Sequence, residues 1–230
     1  RARQRLGPHQ NYRRTTVKSD TADQHWNDQW KSIEEDSKWL TPEKDVQEWA
    51  AGLAQSARIL DLGAGVGRHA LWLTAQGFDV IALDAAPGGL AEIERAGGVE
   101  TILARMDTLP FKDHAFDHVL SWNVIYHGDE DILLRTIAEI RRVLKPGGSY
   151  MGTMLSKRRL PHEQAKYTGR EISRNAWVFD APGTDKMHPH YYCAAADLLA
   201  LFSGFECLRL EDREHEKPGT FHWHLTMERL

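Results

Sequence analysis

The sequence lacks the features that mark several classes of protein. Its two cysteines, Cys193 and Cys207, are too few for a disulfide scaffold and lack the spacing of a metal site. No apolar run approaches the roughly 20 residues of a membrane span. A net charge of −4 gives no general attraction to nucleic acid. With no recognisable signal peptide or internal repeat, we expect one α/β domain and a cytoplasmic location.

The most informative stretch is a glycine-rich turn between an apolar strand and a helix. Residues 57–62 predict a buried strand, Gly63, Gly65 and Gly67 follow it, and helical spacing resumes at Arg68. This arrangement brings bare backbone amides and a helix N-terminus to a ligand. The third glycine of the dinucleotide fingerprint would fall on Arg68, and the Gly-Lys-Ser/Thr of the P-loop is missing. The turn therefore suits a nucleoside ligand better than a diphosphate.

A second signal is an acid at the end of the next predicted strand, residues 78–83. Asp84 follows this strand and lies 84 − 63 = 21 residues after Gly63. A carboxylate about 20 residues beyond the first glycine is placed to bind a ribose. Because a carboxylate accepts hydrogen bonds from both ribose hydroxyls, we predict that Asp84 binds the ribose of the ligand.

Three segments resemble motifs of the class I S-adenosylmethionine (SAM) methyltransferases. Residues 60–67 resemble motif I, residues 106–111 resemble the adenine-binding segment, and residues 142–148 resemble the turn before the fifth strand. The similarity extends from about Thr41 to the C-terminus. It implies a Rossmann-like α/β fold: a doubly wound, seven-stranded mixed sheet with the last strand antiparallel, covered by helices on both faces in three α/β/α layers.

The resemblance also implies which residues hold the cofactor. Asp61 and the glycine turn hold the methionine end of SAM, Asp84 the ribose, and Asp107 the adenine amino group, with Met106 on the ring. The predicted cofactor-binding set is Asp61, Gly63, Ala64, Gly65, Gly67, Arg68, Asp84, Ala85, Met106, Asp107, Thr108, Trp122 and Asn123.

The tip of the fourth predicted strand, residues 116–121, faces the transferable methyl group in this family. DNA and protein amino-methyltransferases carry Asn/Asp-Pro-Pro-Tyr at this tip, whereas this chain has Tyr126 and His127 and neither proline. We predict both residues as catalytic. His127 acts either as a general base or as a hydrogen-bonded wall of the pocket.

The domain prediction is an N-terminal arm and lid at residues 1–40 and one methyltransferase domain at 41–230, with a lid insertion at about 156–192. A capping hydroxyl and proline predict a helix from Thr41 to about Ala54. Residues 156–190 have little periodicity, which predicts a long substrate loop. His222 and His224 are interpreted as residues of an edge strand.

The predicted substrate-binding residues are rich in aromatic rings and imidazoles. Trp26 and Trp30, four residues apart, share a helix face and form either a lid or a packing contact. The histidines near Asp185 are interpreted as pocket or packing residues, so no metal is predicted. The full substrate set is Trp26, Trp30, Tyr126, His127, His188, His190 and Tyr191.

The predicted reaction is transfer of a methyl group from SAM to a small-molecule nucleophile, with S-adenosylhomocysteine as the product. The predicted state is a monomer or homodimer without a membrane partner. The basic arm at residues 1–19 leaves a tRNA or ribosomal RNA methyltransferase as an alternative, although nucleic acid is not the favoured partner. A catalytically silent SAM-binding regulatory protein is the alternative of another class.

Overall fold

A ten-stranded sheet forms the centre of the computed structural model, which describes residues 22–31, 33–34 and 37–230. The predictions for the basic arm at residues 1–19 lie outside these ranges. Two short 3-10 turns occur at Lys38–Leu40 and Asp185–Met187. Among the described residues, none of the helices combines the length and apolar character that a membrane crossing requires. The helices are α1 Ala22–Trp30, α2 Lys44–Ala50, α3 Arg68–Ala75, α4 Pro87–Ala96, α5 Glu130–Val143, α6 Leu160–Gln164 and α7 Ala195–Leu201.

Seven of the strands have the predicted topology, in the order β3-β2-β1-β4-β5-β10-β9. The first five pair in parallel, and β10 runs antiparallel to both β5 and β9. The predicted mixed sheet with an antiparallel last strand is confirmed. The strands are β1 Arg58–Leu62, β2 Asp79–Asp84, β3 Glu100–Leu103, β4 Phe116–Ser121, β5 Leu144–Ser156, β6 Gly169–Ser173, β7 Ala176–Phe179, β8 His190–Cys193, β9 Phe205–Glu214 and β10 Phe221–Arg229.

The prediction of one long loop over residues 156–190 was wrong, and its role as a substrate lid stays a prediction. This insertion contains α6 and three strands, and β8 extends β5 in parallel through Leu155 opposite Tyr192. The hairpin of β6 and β7 turns at Asn175, whose φ of 63° lies in the left-handed region. Strands of four or five residues are too short for their periodicity to be recognised in the sequence.

Two other predictions differ from the structure. β10 lies between β5 and β9, so His222 and His224 are buried residues of an inner strand and not edge residues. The helix predicted from Thr41 begins at Lys44 and ends at Ala50. The backbone N–H of Glu43, which precedes α2, donates to Nε2 of His69 at 3.3 Å, so this end of α2 is fixed by α3.

α1 packs on the glycine turn and on the start of α4, apart from the two larger core clusters. Trp30, Val66 and Ala86 form its buried contact. Oδ1 of Asn27 accepts a hydrogen bond of 2.8 Å from the backbone N–H of Gly88. This packing places α1 over the carboxyl ends of β1 and β2.

Candidate functional site

A cavity of about 1030 Å³ opens at the carboxyl ends of β1, β2 and β4, beneath α1. Parallel α/β sheets bind their ligands at this edge, where the strand order reverses on either side of β1 and β4. The structure brings together most of the predicted site in its wall. The lining residues that the sequence predicts are Trp26, Trp30, Gly63, Ala64, Gly65, Arg68, Asp84, Ala85, Met106, Trp122, Asn123, Tyr126 and His127.

The glycine turn is fixed against the end of β2. The backbone N–H groups of Gly63 and Ala64 both donate to the carbonyl of Leu83, at 2.7 and 3.0 Å. The N–H of Gly65 donates to Oδ2 of Asp84 at 2.8 Å, and Ala86 donates to the other carboxylate oxygen at 2.7 Å. Burial raises the pKa of Asp84, opposed by these backbone N–H donors. Asp84 therefore joins the turn to the strand end predicted to hold the ribose.

Asp61 lies behind the glycine turn, where it is buried at the end of β1. Burial raises its pKa to about 7, against the opposing charge of Arg68. Its Oδ2 atom has no hydrogen-bond partner among the described residues. Arg68, whose guanidinium is 2.9 Å from Glu43, lines the cavity in front of it. A cation in this part of the cavity would stabilise the ionised form of Asp61.

Three tryptophans, Trp26, Trp30 and Trp39, form one aromatic cluster over the glycine turn. Trp26 stacks on Trp30 with ring centroids 5.2 Å apart, and the edge of Trp39 meets both rings at 5.8 and 5.6 Å. The guanidinium of Arg68 lies 5.2 Å from the Trp39 ring. The cluster therefore gives the cavity an apolar roof that also accommodates positive charge.

Tyr126 and His127 reach the cavity because the chain turns sharply after β4. Asn123 has a φ of 62°, and its backbone N–H and side chain both bond to Oγ1 of Thr153. Burial raises the pKa of Tyr126, whereas burial and the neighbouring His190 hold the pKa of His127 well below its usual range. At neutral pH the phenol is therefore a hydrogen-bond donor, and the imidazole is neutral and able to accept a proton.

The cavity wall also carries three histidines, one in the turn between β9 and β10 and two on β10, a group absent from the predicted site. His224 Nδ1 is 2.7 Å from Oδ2 of Asp45, and its Nε2 is 2.7 Å from Nε2 of His215. His215 stacks on His222 at 4.0 Å, and Arg159 bonds to His222 at 3.0 Å. From the sequence alone, the spacing of His222 and His224 on one strand indicates that they share a face. Asp45 is too distant in sequence for its contact with His224 to be predicted.

Several predicted site residues do not line the cavity. The carboxylate of Asp107 pairs with Arg105 at 3.1 Å and with Arg135 at 3.0 Å, and Thr108 donates to the carbonyl of Asp107. The adenine-binding role of Asp107 stays a prediction. Among the remaining predicted residues, Gly67 begins α3 behind the turn, the Tyr191 hydroxyl accepts from Asn175, His188 lies beside the ring of His25, and His190 lies behind His127.

The donor set of the cavity fits SAM. Four buried polar atoms in or behind its wall have no partner among the described residues: Asp23 Oδ1, Asp61 Oδ2, Trp122 Nε1 and His127 Nδ1. Leaving such atoms unpaired is costly, which favours a ligand with complementary polar groups. The glycine turn brings backbone without side chains up to the cavity, and the tryptophan cluster accommodates a sulfonium, as a cationic nucleoside requires.

Comparison with known sequences identifies the centre of the chain. Residues 59–148 match the family model described as methyltransferase domain. An uncharacterised methyltransferase of Mycobacterium tuberculosis is 37% identical over 97 residues, covering 41% of this chain and 38% of that protein. A probable tRNA methyltransferase 9B of Mus musculus is 36% identical over 107 residues, covering 46% of this chain and 23% of that protein. The chain thus spans less than half the length of these relatives.

Solved structures show the same fold. A SAM-dependent methyltransferase of Methanosarcina mazei has a TM-score of 0.68 and 20% identity, covering 83% of this chain and 99% of that chain. A second structure is 1,6-didemethyltoxoflavin N1-methyltransferase of Burkholderia thailandensis with bound 1,6-didemethyltoxoflavin and S-adenosylhomocysteine. Its TM-score is 0.63 with 20% identity, and the match covers 84% of this chain and 79% of that chain.

Proposed function

Because residues 59–148 form a methyltransferase domain of the class I, SAM-dependent type, we propose that this chain transfers the methyl group of SAM to a small-molecule nucleophile. The predicted family and cofactor are confirmed. The small-molecule acceptor is the proposal. The observation that carries it is the roofed cavity, in which the glycine turn and Asp84 lie beneath the tryptophan cluster and the histidines lie beyond them.

SAM supplies a methyl group that its sulfonium already activates. The chain therefore contributes mainly orientation and the exclusion of water. Asp84 would hold the ribose, and the tryptophan cluster would cover the sulfonium and shield it from solvent. Tyr126 would donate a hydrogen bond to the acceptor, and the neutral His127 would accept its proton if the nucleophile is a hydroxyl or an amine.

Size and charge favour a small acceptor over RNA. The cavity is covered by α1, and the chain has a net charge of −4, which does not attract a polyanion. The Burkholderia neighbour holds a small heterocycle. The similarity to a probable tRNA methyltransferase supports RNA as the second candidate, with the basic arm at residues 1–19 as its contact.

The test is calorimetric titration with SAM and S-adenosylhomocysteine, followed by turnover. We expect micromolar binding, about −8 kcal/mol, and homocysteine release in a coupled assay with one class of small hydroxyl, amine, thiol or nitrogen-heterocycle acceptor. Release with tRNA alone, lost at high salt, would favour the RNA candidate. Cofactor binding with no turnover on either panel would instead indicate a SAM-binding regulatory protein.

A further inference from the structure

Three ligand-type side chains converge at one edge of the cavity: His127, Asp185 and His190. One nitrogen or oxygen atom of each lies within 4.8 Å of the others. His127 and Asp185 line the cavity, and His190 lies immediately behind, its ring centroid 4.6 Å from that of His127. No other group of this kind is found among the described residues.

The backbone holds this group in place. His127 and His190 form an isolated antiparallel bridge, and the N–H of Tyr191 donates to the carbonyl of Tyr126 at 2.8 Å. Asp185 lies in the 3-10 turn five residues before His190. The two histidines are therefore fixed by paired main chain, which is how rigid ligand sites are supported.

The hydrogen bonds of His190 determine which of its nitrogens carries the lone pair. Nδ1 is 2.8 Å from the carbonyl of His188, and a carbonyl accepts only, so Nδ1 carries the hydrogen. In a neutral ring Nε2 then presents its lone pair to Oδ2 of Asp185 at 3.3 Å. Two lone pairs at this distance repel each other unless a cation or a second proton lies between them. A histidine whose other nitrogen donates to a backbone carbonyl has the usual arrangement of a metal ligand.

The third member has a free coordinating atom. Nδ1 of His127 is buried and has no hydrogen-bond partner among the described residues. An unpaired buried nitrogen on a histidine of this group is available to a ligand, because buried polar atoms are normally satisfied.

We propose that His127, Asp185 and His190 bind a divalent transition-metal ion such as Zn²⁺, and that the ion binds the methyl acceptor. In the metal-bound protein, coordination to the ion replaces His127 as the means of deprotonating the acceptor. Zinc–ligand bonds of about 2.0–2.1 Å place tetrahedral ligand atoms about 3.4 Å apart, close to the 3.3 Å between His190 and Asp185. Two histidines and one carboxylate leave coordination positions open to the cavity. The acceptor part of the inference rests on the proposed function.

The charged side chains around the site indicate the charge of the acceptor. Glu163 binds Arg159 at 2.7 Å and Lys186 at 3.2 Å, so two cations share one carboxylate next to the site. With a divalent ion bound, this region carries excess positive charge. An acceptor that coordinates through a deprotonated oxygen, nitrogen or sulfur would offset the charge, and coordination lowers the pKa of such a group. The substrate class is therefore a metal-coordinating nucleophile that binds as an anion.

The experiment is a direct metal titration of the whole chain after treatment with EDTA, without SAM. We expect one equivalent of Zn²⁺ with micromolar or tighter affinity by calorimetry, and a visible absorption band of bound Co²⁺ that Zn²⁺ displaces. Asp185→Asn is nearly isosteric and His127→Gln removes a second ligand, and each should weaken Zn²⁺ binding by at least 30-fold. His118→Gln is the matched control, because His118 lies on β4 outside the cavity wall and bonds to Ser149 at 2.8 Å, and this variant should leave Zn²⁺ binding unchanged.

Separate titration with SAM distinguishes failure of this inference from failure of the proposed function. Absence of saturable Zn²⁺ binding, or equal binding by wild type and both ligand variants, would overturn the metal site even if SAM binds. Zn²⁺ binding that the ligand variants lose, without any SAM binding, would support the site and reject the proposed function. Circular dichroism of each variant establishes that loss of metal does not reflect unfolding.

Discussion

The indole of Trp30 lies against Gly65 of the glycine turn, where a Cβ atom would come within 3.1 Å of Cζ2 of Trp30. Gly65 has a φ of 55°, so its conformation and its neighbour both favour the absence of a side chain. The contact joins the segment that precedes the domain to the turn predicted to hold SAM. We therefore expect cofactor binding and the position of α1 to be coupled through this residue pair.

Gly65→Ala should lower both stability and SAM affinity. The left-handed backbone costs about 1–2 kcal/mol with an alanine, and the added methyl group displaces Trp30. Gly147→Ala is the control, because Gly147 has a φ of 74° but nothing within 4 Å of its Cβ position. Thermal unfolding should shift in both variants, whereas calorimetry should show at least tenfold weaker SAM binding only for Gly65→Ala. Equal SAM affinity in the two variants would contradict the coupling.

Trp30→Ala should weaken SAM binding more than it weakens the fold. Trp30 packs with Val66 and Ala86 in a small cluster separate from the two main cores, so its loss releases α1 and leaves the sheet intact. We expect at least tenfold weaker SAM binding. Trp177→Ala, on β7 in contact with Phe179, is the comparison, and its SAM affinity should match the wild type. Unchanged SAM affinity in Trp30→Ala would show that α1 is only a packing element.

Asp84→Asn should weaken SAM binding by at least tenfold. The amide retains one acceptor oxygen but loses the charge and one of the two acceptors that hold Gly65 and Ala86. Asp79→Asn, at the exposed start of the same strand, makes only a surface contact with Arg58 and should behave as the wild type. Calorimetric titration of both variants measures the difference. An Asp84→Asn protein with wild-type affinity would reject the ribose assignment.

The sheet could be predicted because its signals are local. The glycines after β1, the acid at the end of β2 and the Lys-Pro-Gly-Gly segment at the start of β5 each mark an element boundary within a few residues. β4 has the predicted bounds, Phe116–Ser121. Short strands such as β7 and β8 were missed because four residues give too little pattern, and their pairing partners lie elsewhere in the chain.

The histidine-rich part of the cavity depends on contacts between residues far apart in the sequence, which local patterns do not predict. Asp45 meets His224 across 179 residues, and His127 meets His190 across 63. Each histidine alone is more often a packing residue than a ligand, which is why the sequence favoured no metal. Only the antiparallel bridge between the two segments places both imidazoles beside Asp185. The glycine-turn side of the cavity was predictable because one strand–turn–helix unit supplies most of it.

The buried carboxyl of Asp61 should make SAM binding depend on pH. Burial raises its pKa to about 7, so it is largely protonated at pH 6 and ionised at pH 8. SAM carries a sulfonium and an ammonium, and a cation in the cavity favours the ionised carboxylate. Below pH 7 binding therefore has to release a proton, and affinity should fall by up to about tenfold per pH unit. Calorimetric titration between pH 5.5 and 8.5 measures this slope.

The variant Asp61→Asn tests whether the pH dependence of SAM affinity comes from Asp61 or from another titrating group. The asparagine variant should bind SAM more weakly at pH 8 and should lose the slope. The folded carboxyl has a pKa above its value of about 3.9 in an unfolded chain. It therefore contributes stability below pH 4 that is lost as the pH rises to 7. Removing the charge should consequently raise the unfolding temperature of the SAM-free protein at pH 8 relative to wild type. If Asp61→Asn keeps the pH dependence of SAM affinity seen in wild type, the proton released on binding comes from another group. If its unfolding temperature at pH 8 is lower than that of wild type, the positive charge of Arg68 offsets the cost of burying the Asp61 carboxylate.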